Sequence, residues 1–197
     1  MVEKNRAKTP RPEEALAVDG AVVDSKLIDA FFPEKPAAGA SAALQVAPPT
    51  GDFSYHTFLS YAQADAIDQC GVLQSQLALH GVKTWWDQVL QGALTEDAMR
   101  DGVTHARTYL LFLSKTVFAR PFVLMELRRA LELQHAIIFV HETDERNQGY
   151  ERLEVLISKA PEEVRPLFRR VESVPYRRRL HEREAMVAEL ARRMGGA

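Results

Sequence analysis

The stretch His56-Thr-Phe-Leu-Ser-Tyr61 decides the fold of this chain. Its β-branched threonine and its phenylalanine favour strands, so the stretch predicts a short buried strand. Asp65 follows a polar turn and is predicted to cap the next helix. Such a unit begins an open α/β sheet, in which ligands bind beyond the carboxyl ends of the strands. Ser60, Tyr61 and Gln63 are therefore expected at the rim of a site, although Ser60 alone equally fits a side chain that bonds only the turn backbone.

Composition excludes several classes of protein. The length of 197 residues predicts one domain with a tail, and a net charge of -2 gives no attraction to nucleic acid or to an anionic membrane. The one cysteine, Cys70, excludes an intramolecular disulfide and fits a reducing compartment. No apolar run approaches the roughly 20 residues of a membrane span, and the first residues lack the apolar core of a signal peptide. These features predict a cytoplasmic protein that does not enter membranes.

Residues 1–52 are rich in Pro, Ala and Gly, which predicts a flexible tail with one short helix over residues 21–32. Residues 53–197 are predicted to form the folded domain, in which apolar strands alternate with helical patterns. The predicted strands are 56–61, 82–87, 108–114, 136–141 and 171–176. The predicted helices are 65–80, 95–103, 121–133, 149–160 and 180–194.

This alternation predicts a flavodoxin-like fold, a five-stranded parallel sheet with helices on both faces. A response-regulator receiver has similar layers, but it needs paired acids after its first strand and an Asp at the end of its third. Here those places hold Ser60-Tyr61 and Ser114, so the receiver interpretation is excluded.

Glu126 is the most informative residue of the predicted helix over 121–133. On a helical wheel of about 100° per residue its neighbours are apolar. They are Ala119, Phe122, Val123, Ala130 and Leu133. An unpaired carboxylate is costly there. Either Arg129 forms an ion pair with it, worth about 0.2–0.5 kcal/mol, or the carboxyl occupies a cleft with a raised pKa or a ligand to hold. Geometry alone leaves both explanations open.

Two motifs in the first half of the domain resemble those of Toll/interleukin-1 receptor (TIR) domains. Phe58-Leu-Ser-Tyr61, followed by Asp65, resembles the first-strand box of that family. Trp85-Trp-Asp87, followed by Gly92, resembles the second strand and the glycine-bearing loop after it.

Two later pieces agree in order and spacing, and the resemblance covers residues 53–178. The third strand ends in Phe112-Leu-Ser114. Phe122-x-x-x-Glu126-Leu127 resembles the helix motif whose Glu is essential in the NAD-cleaving members. Those members usually have Trp where this chain has Phe122. Phenylalanine keeps an aromatic plane for stacking on a nicotinamide or adenine ring and lacks the indole N–H.

The resemblance implies an NAD+ hydrolase of signalling or defence, with NAD+ as substrate and no cofactor or metal. It implies that Glu126 hydrogen-bonds the hydroxyls of the nicotinamide-side ribose while the N-glycosidic bond breaks. A carboxylate there stabilises the oxocarbenium-like charge at the anomeric carbon. Nicotinamide leaves from a cationic ring and needs little acid assistance. The products are nicotinamide and either ADP-ribose or a cyclic variant, between which the sequence does not decide.

The resemblance also implies the substrate-binding residues. Ser60 and Tyr61 border the ribose and diphosphate, while Phe122 offers its ring. Asp87 and the loop to Leu94, which includes Gly92, shape or gate the entrance. By strand alternation one of the two adjacent tryptophans points into the core, and Trp86 is predicted to be the one that meets the ligand. Self-association through TIR–TIR contacts, or contacts with other TIR proteins, is implied as well and completes the site between protomers.

Two other functions compete with this one. The first is a non-catalytic signalling adaptor that acts only through TIR–TIR self-association, and the presence of Glu126 argues against it because many adaptor-like members lack that residue. The second is nucleoside deoxyribosyltransferase-like chemistry on a related sheet, which the boxes at 58–61 and 85–87 argue against.

The arginine-rich C-terminal part could contact nucleic acid or phosphates. The near-neutral charge of the chain favours a solvated helix face with internal salt bridges, so nucleic acid is not a predicted partner. His141, Glu142 and Asp144 end the fourth predicted strand without a second pair of ligands at metal-binding spacing, so solvated turn residues are predicted there and no metal.

Overall fold

The computed structural model of the chain describes residues 17–18, 21–22, 44–89 and 95–195. The chain divides into two units, Met1–Ala42 and Ala43–Ala197. In the first unit, β1 (Ala17–Val18) pairs antiparallel with β2 (Ala21–Val22). The first two residues of the predicted helix over 21–32 belong to β2, and the rest of that helix lies outside the described residues.

The second unit contains a five-stranded parallel sheet in the order β4, β3, β5, β6, β7. Its strands are β3 (Tyr55–Ser60), β4 (Thr84–Trp85), β5 (Ala106–Leu113), β6 (Ala136–His141) and β7 (Val174–Pro175). This confirms the predicted flavodoxin-like architecture. Because all five strands run the same way, their carboxyl ends meet at one edge of the sheet.

Among the described residues, four helices connect these strands and a fifth follows the last strand; together they cover both faces of the sheet. They are α1 (Gln63–Leu79), α2 (Glu96–Thr104), α3 (Pro121–Glu132), α4 (Leu153–Lys159) and α5 (Leu180–Gly195). Phe58 and Leu111 pack with α2, α3 and α4 in one apolar cluster. Leu59 and Leu110, which alternate with them along the strands, pack with α1 and α5 in a second cluster. None of the described helices has the length and hydropathy to cross a bilayer.

Local signals set several helix ends. The Thr95 side chain accepts a hydrogen bond from Ala98 N at 3.2 Å and so caps α2, as predicted. Pro121 occupies the first turn of α3, where its missing N–H costs nothing. Gly81 follows α1 with a φ of 78°, a left-handed conformation that glycine adopts without strain.

Asp65 does not cap a helix, contrary to the prediction. Helix α1 begins earlier, after Ala62, and bends at Ala66, whose φ and ψ are -143° and 18°. The Asp65 carboxylate instead accepts hydrogen bonds from Ser114 Oγ, Thr116 N and Thr116 Oγ1 at 3.1, 2.7 and 2.8 Å. Its side chain therefore joins the start of α1 to the turn after β5, a partner far away in the sequence.

The two edge strands are shorter than predicted. Of residues 82–87 only Thr84–Trp85 pair with β3, and Asp87 begins a 3-10 turn. Of residues 171–176 only Val174–Pro175 form β7, whose edge position tolerates a proline. An edge strand pairs on one side only, so apolar sequence alone overestimates its paired length. Likewise, α4 covers only the later part of the predicted helix over 149–160.

Candidate active site

A cavity of about 250 Å³ opens beside the carboxyl end of β3. The ends of β3 and β4, the residues just after them and the first turn of α1 form part of its wall. Helix α2, helix α3 and the residue before α3 supply the rest. Trp85, Met99 and Phe122 provide apolar surface. The polar and charged side chains in the lining are Ser60, Tyr61, Gln63, Asp87, Arg120 and Glu126. The structure thus brings the rim residues predicted from the first strand together with the acid of α3.

Glu126 is 6% exposed, and it belongs to the wall of this cavity. Ser60 Oγ donates a hydrogen bond to Glu126 Oε2 at 2.6 Å. Burial raises the pKa of Glu126 from 4.5 to about 8; the Ser60 hydrogen bond opposes this rise and the charge of Asp87 adds to it. The side chain is therefore mostly neutral at pH 7 and sensitive to any cation that enters the cavity.

The competing explanation, an ion pair with Arg129, does not hold. Arg129 pairs with Glu132, with 3.2 Å between Nη1 and Oε2, and its Nη2 donates to Thr104 Oγ1 at 3.4 Å. Among the described side chains no cation lies within ion-pair distance of the Glu126 carboxyl. Its raised pKa and its place in a cavity agree with the second explanation, a carboxyl with a ligand to hold.

Tyr61 and Asp87 connect the segments that follow β3 and β4. The Tyr61 hydroxyl donates to Asp87 Oδ1 at 2.8 Å. Burial, followed by the hydrogen bond and charge of Asp87, raises the pKa of Tyr61 well above its usual value. Tyr61 therefore stays a neutral donor that holds the Asp87 carboxylate at the cavity wall.

The two tryptophans occupy opposite faces of the sheet, as alternation predicts, but Trp85 rather than Trp86 lines the cavity. The register pairs Trp85 with Phe58, and the two rings stack with centroids 4.2 Å apart. Trp86 packs against the cluster on the other face, where its Cη2 lies 3.3 Å from the position of a Cβ on Gly71. Trp85 lines the cavity because it lies on the same face of the sheet as Phe58, its partner in the register.

The other predicted substrate-binding residues differ in what the structure says of them. Phe122 lies in the first turn of α3, 54% exposed, with its side chain in the cavity lining. Gly92 and Leu94 lie outside the described residues, so their role at the entrance stays a prediction.

Two residues of this region were missed from the sequence. Arg120 lines the cavity immediately before α3 and donates from Nε and Nη2 to Thr116 Oγ1 at 3.2 and 3.0 Å. Tyr109 is fully buried, and its burial, followed by the charge of Glu126, raises the pKa of its hydroxyl. Neither an exposed arginine nor a tyrosine within a strand forms a sequence pattern that marks a site. The only signal for Arg120 was its position two residues before Phe122.

Glu142, which follows β6, is buried, contrary to the prediction of solvated turn residues there. Glu142 accepts hydrogen bonds from Arg178 Nη1 and Nη2, both at 2.6 Å, and from Gln69 Nε2 at 3.2 Å. These bonds, against the burial of the group, hold the pKa of Glu142 below its usual value. The described part of the chain contains no group of three or more side chains able to hold a metal ion.

Comparison with known proteins agrees with this architecture. A family model described as TIR domain matches residues 57–190. No curated protein matches the sequence. A metazoan TIR-STING receptor from C. gigas shares 14% identity at a TM-score of 0.53 over 75% of this chain and 43% of its own. The same receptor in complex with 2',3'-cGAMP shares 15% identity at a TM-score of 0.50, over 73% of this chain and 42% of its own.

The TIR domain of the Toll-related receptor TRR-2 from Hydra magnipapillata shares 20% identity at a TM-score of 0.40, over 59% of this chain and 93% of its own. At 14–15% identity, the likeness to the TIR-STING receptor shows the fold alone. This chain spans less than half the length of the two receptor chains.

Proposed function

This chain belongs to the TIR-domain family, and on that premise we propose that it hydrolyses NAD+ at the bond between nicotinamide and ribose. The observation that carries the proposal is the Glu126 carboxyl, buried at a cavity wall and hydrogen-bonded by Ser60 Oγ at 2.6 Å rather than by a cation. Such a group is available to a ligand.

The raised pKa of Glu126, about 8, favours this substrate for an electrostatic reason. The nicotinamide ring of NAD+ carries a positive charge, which stabilises the ionised carboxyl when the two come close in a water-poor cavity. NAD+ binding is therefore coupled to release of the Glu126 proton. The resulting carboxylate accepts hydrogen bonds from the ribose hydroxyls.

In the reaction, the bond between ribose C1' and the nicotinamide nitrogen breaks, and its electron pair stays on the nitrogen. Nicotinamide leaves neutral, and the ribosyl group becomes an oxocarbenium-like cation that the Glu126 carboxylate stabilises. A water oxygen then bonds to C1', and Glu126 accepts the proton that this water loses. The products are nicotinamide and ADP-ribose, or a cyclic variant where an adenine nitrogen takes the place of water.

The surrounding side chains support the same pose. Ser60 holds the carboxyl and borders the ribose, and Tyr61 fixes Asp87 at the wall. The exposed ring of Phe122 offers a surface for stacking on nicotinamide or adenine. Trp85, which lines the cavity, takes the place predicted for Trp86. The loop with Gly92 and Leu94 is proposed to shape the entrance.

The cavity volume supports self-association as part of this function. About 250 Å³ is below the roughly 300–1,000 Å³ of small-molecule sites, so the described residues of one protomer do not by themselves enclose a whole dinucleotide. We propose that a second TIR domain covers the remainder, in signalling or defence. We place this activity in the cytoplasm because Cys70, the one cysteine of the sequence, is free and buried.

The second candidate is a signalling adaptor without catalysis. We propose α1 as the contact surface of such an adaptor, since its apolar side chains Ile67, Val72 and Leu79 are exposed by 36%, 40% and 69%. Both functions use TIR–TIR contacts, so association alone does not distinguish them.

Nicotinamide release from NAD+ by the concentrated, purified chain tests the proposal. We expect wild type to release nicotinamide and Glu126→Ala to release none above background. Both proteins should associate equally in sedimentation. If wild type and variant are equally silent while both associate, the chain is an adaptor.

A further inference from the structure

Arg120 is the exposed arginine at the mouth of the cavity, immediately before α3. Its Nε and Nη2 both donate to Thr116 Oγ1, at 3.2 and 3.0 Å, and the Thr116 hydroxyl donates onward to Asp65 Oδ2 at 2.8 Å. The hydroxyl therefore serves Arg120 only as an acceptor. It orients the guanidinium without neutralising it, and Nη1 remains free of protein hydrogen bonds among the described residues.

Charge is divided unequally around the cavity. Glu126 and Asp87 supply carboxyls, whereas Arg120 is the one cationic side chain among the described lining residues. No described carboxylate lies within ion-pair distance of it. Helix α3 also begins here without a side-chain cap, so the positive end of its dipole adds to the same mouth.

NAD+ has the complementary division of charge. Its nicotinamide ring is cationic and its diphosphate is anionic, with a ribose and a 5'-methylene between them. Arg120 and Glu126 are six residues apart, which corresponds to about 9 Å along a helix axis at 1.5 Å per residue. A ribose whose hydroxyls meet Glu126 therefore directs its 5' side toward the mouth, within reach of a long arginine side chain.

Given the proposed function, we propose that Arg120 binds the diphosphate of NAD+ and makes the site select diphosphate-bearing ligands over nicotinamide riboside. A guanidinium suits this role because its planar set of donors matches phosphate oxygens in pairs. Arg120 is thus a binding and specificity residue, separate from the carboxyl that acts at the glycosidic bond.

The test measures equilibrium binding by calorimetry with two probes, ADP-ribose, which carries the diphosphate, and nicotinamide riboside, which carries no phosphate. In Arg120→Gln we expect the Kd for ADP-ribose to rise about tenfold to hundredfold, the range of a lost hydrogen bond to a charged group. The Kd for nicotinamide riboside is expected to stay within about twofold of wild type, and Arg120→Lys to regain part of the loss.

Arg128→Gln is the matched control, since Arg128 lies on the helix that Arg120 precedes, pairs with Glu163 at 3.1 Å and is absent from the cavity lining. It is expected to bind both probes as wild type does. The inference is overturned if Arg120→Gln binds ADP-ribose unchanged, if it loses both probes equally, or if wild type binds no ADP-ribose. If Arg120→Gln selectively loses ADP-ribose binding while the wild type releases no nicotinamide, the result supports the role of Arg120 and contradicts only the proposed hydrolysis.

Discussion

At the scale of single residues, the site depends on the contact between Ser60 and Glu126. The two are 66 positions apart and come together because β3 ends where the buried face of α3 passes. Ser60 Oγ donates to the carboxyl and so favours its ionised form, while burial favours the neutral form and prevails. A pKa of about 8 leaves Glu126 ready to change its protonation state on ligand binding.

We expect kcat/KM for nicotinamide release to rise with pH about tenfold per unit up to about pH 8 and then to level off, because the ionised Glu126 is the active form. Ser60→Ala removes a donor to that carboxylate, so the pKa should rise further and the profile should move to higher pH. Ser75→Ala, a change at an exposed hydroxyl bonded to Gly71 O, is the control. A midpoint that stays or falls in Ser60→Ala contradicts the assigned hydrogen bond.

Glu126 should also lower the stability of the folded state. In the unfolded chain the carboxyl ionises near 4.5 and in the folded chain near 8, so the folded state holds more protons between these values and loses stability as pH rises through them. Glu126→Gln has no such loss. We expect it to exceed wild type by about 3 kcal/mol in free energy of unfolding near pH 7, with little difference near pH 4. Denaturant unfolding at the two pH values measures this, and an equal difference at both contradicts it.

At the scale of elements, α2 packs closely against Trp85, which lines the cavity. Trp85 is held between Phe58, on which it stacks, and the backbone of Gly102 in α2. A Cβ added at Gly102 would stand 2.4 Å from Trp85 Cε2, closer than atoms pack. The position of this cavity wall therefore depends on a glycine in the middle of a helix.

Gly102→Ala is expected to destabilise the protein by about 1–3 kcal/mol and to reduce nicotinamide release, because the Trp85 ring cannot move away without leaving Phe58. Gly71→Ala is the matched control in α1, since its Cβ would stand 3.3 Å from the edge of the half-buried Trp86 ring. That ring can yield slightly, so we expect a change below about 1 kcal/mol. Thermal unfolding of the two variants measures this difference. Equal shifts in Tm would contradict the close packing of Gly102 against Trp85.

The central elements could be predicted from sequence because local and global preferences agree there. Strand β6 covers Ala136–His141, the predicted bounds, and Thr95 caps α2 as its type suggests. The prediction failed where a residue's structure depends on a partner that is distant in the sequence. Asp65 bonds the turn after β5 instead of capping α1, and the edge strands keep only the residues that their neighbours pair.

The candidate site shows the same division. The apolar surroundings of Glu126 followed from helical periodicity, which depends on one element alone. The choice between Trp85 and Trp86 required the register of β3 with β4, and Arg120 required the turn at Thr116 that holds its guanidinium. Contacts between elements were decisive in both cases, and a single sequence does not contain them in readable form.

At the scale of the whole molecule, a net charge of -2 neither attracts nor repels copies of the chain strongly. The described residues of one protomer enclose about 250 Å³ beside Glu126, and the exposed side chain of Phe122 contributes to the lining. In the proposed function, a neighbouring protomer covers the rest of the ligand.

We therefore expect the rate of nicotinamide release per protomer to rise with protein concentration, in step with the fraction associated in sedimentation velocity. Glu126→Gln, which keeps the surface unchanged, should associate equally and remain inactive. A specific rate independent of concentration in a protein that stays monomeric contradicts the shared site.

The most direct measurement is the initial rate of nicotinamide release from NAD+ by wild type, Glu126→Gln and Glu132→Gln, all at one concentration at which the wild type is associated. Glu132 lies on the same helix, faces solvent and pairs with Arg129, so it controls for the loss of a carboxylate from α3. We predict that Glu126→Gln falls by about 100- to 1,000-fold while Glu132→Gln stays within about twofold of wild type. A wild type that releases no nicotinamide, or a Glu126→Gln variant as fast as wild type, would contradict the role of this buried carboxyl.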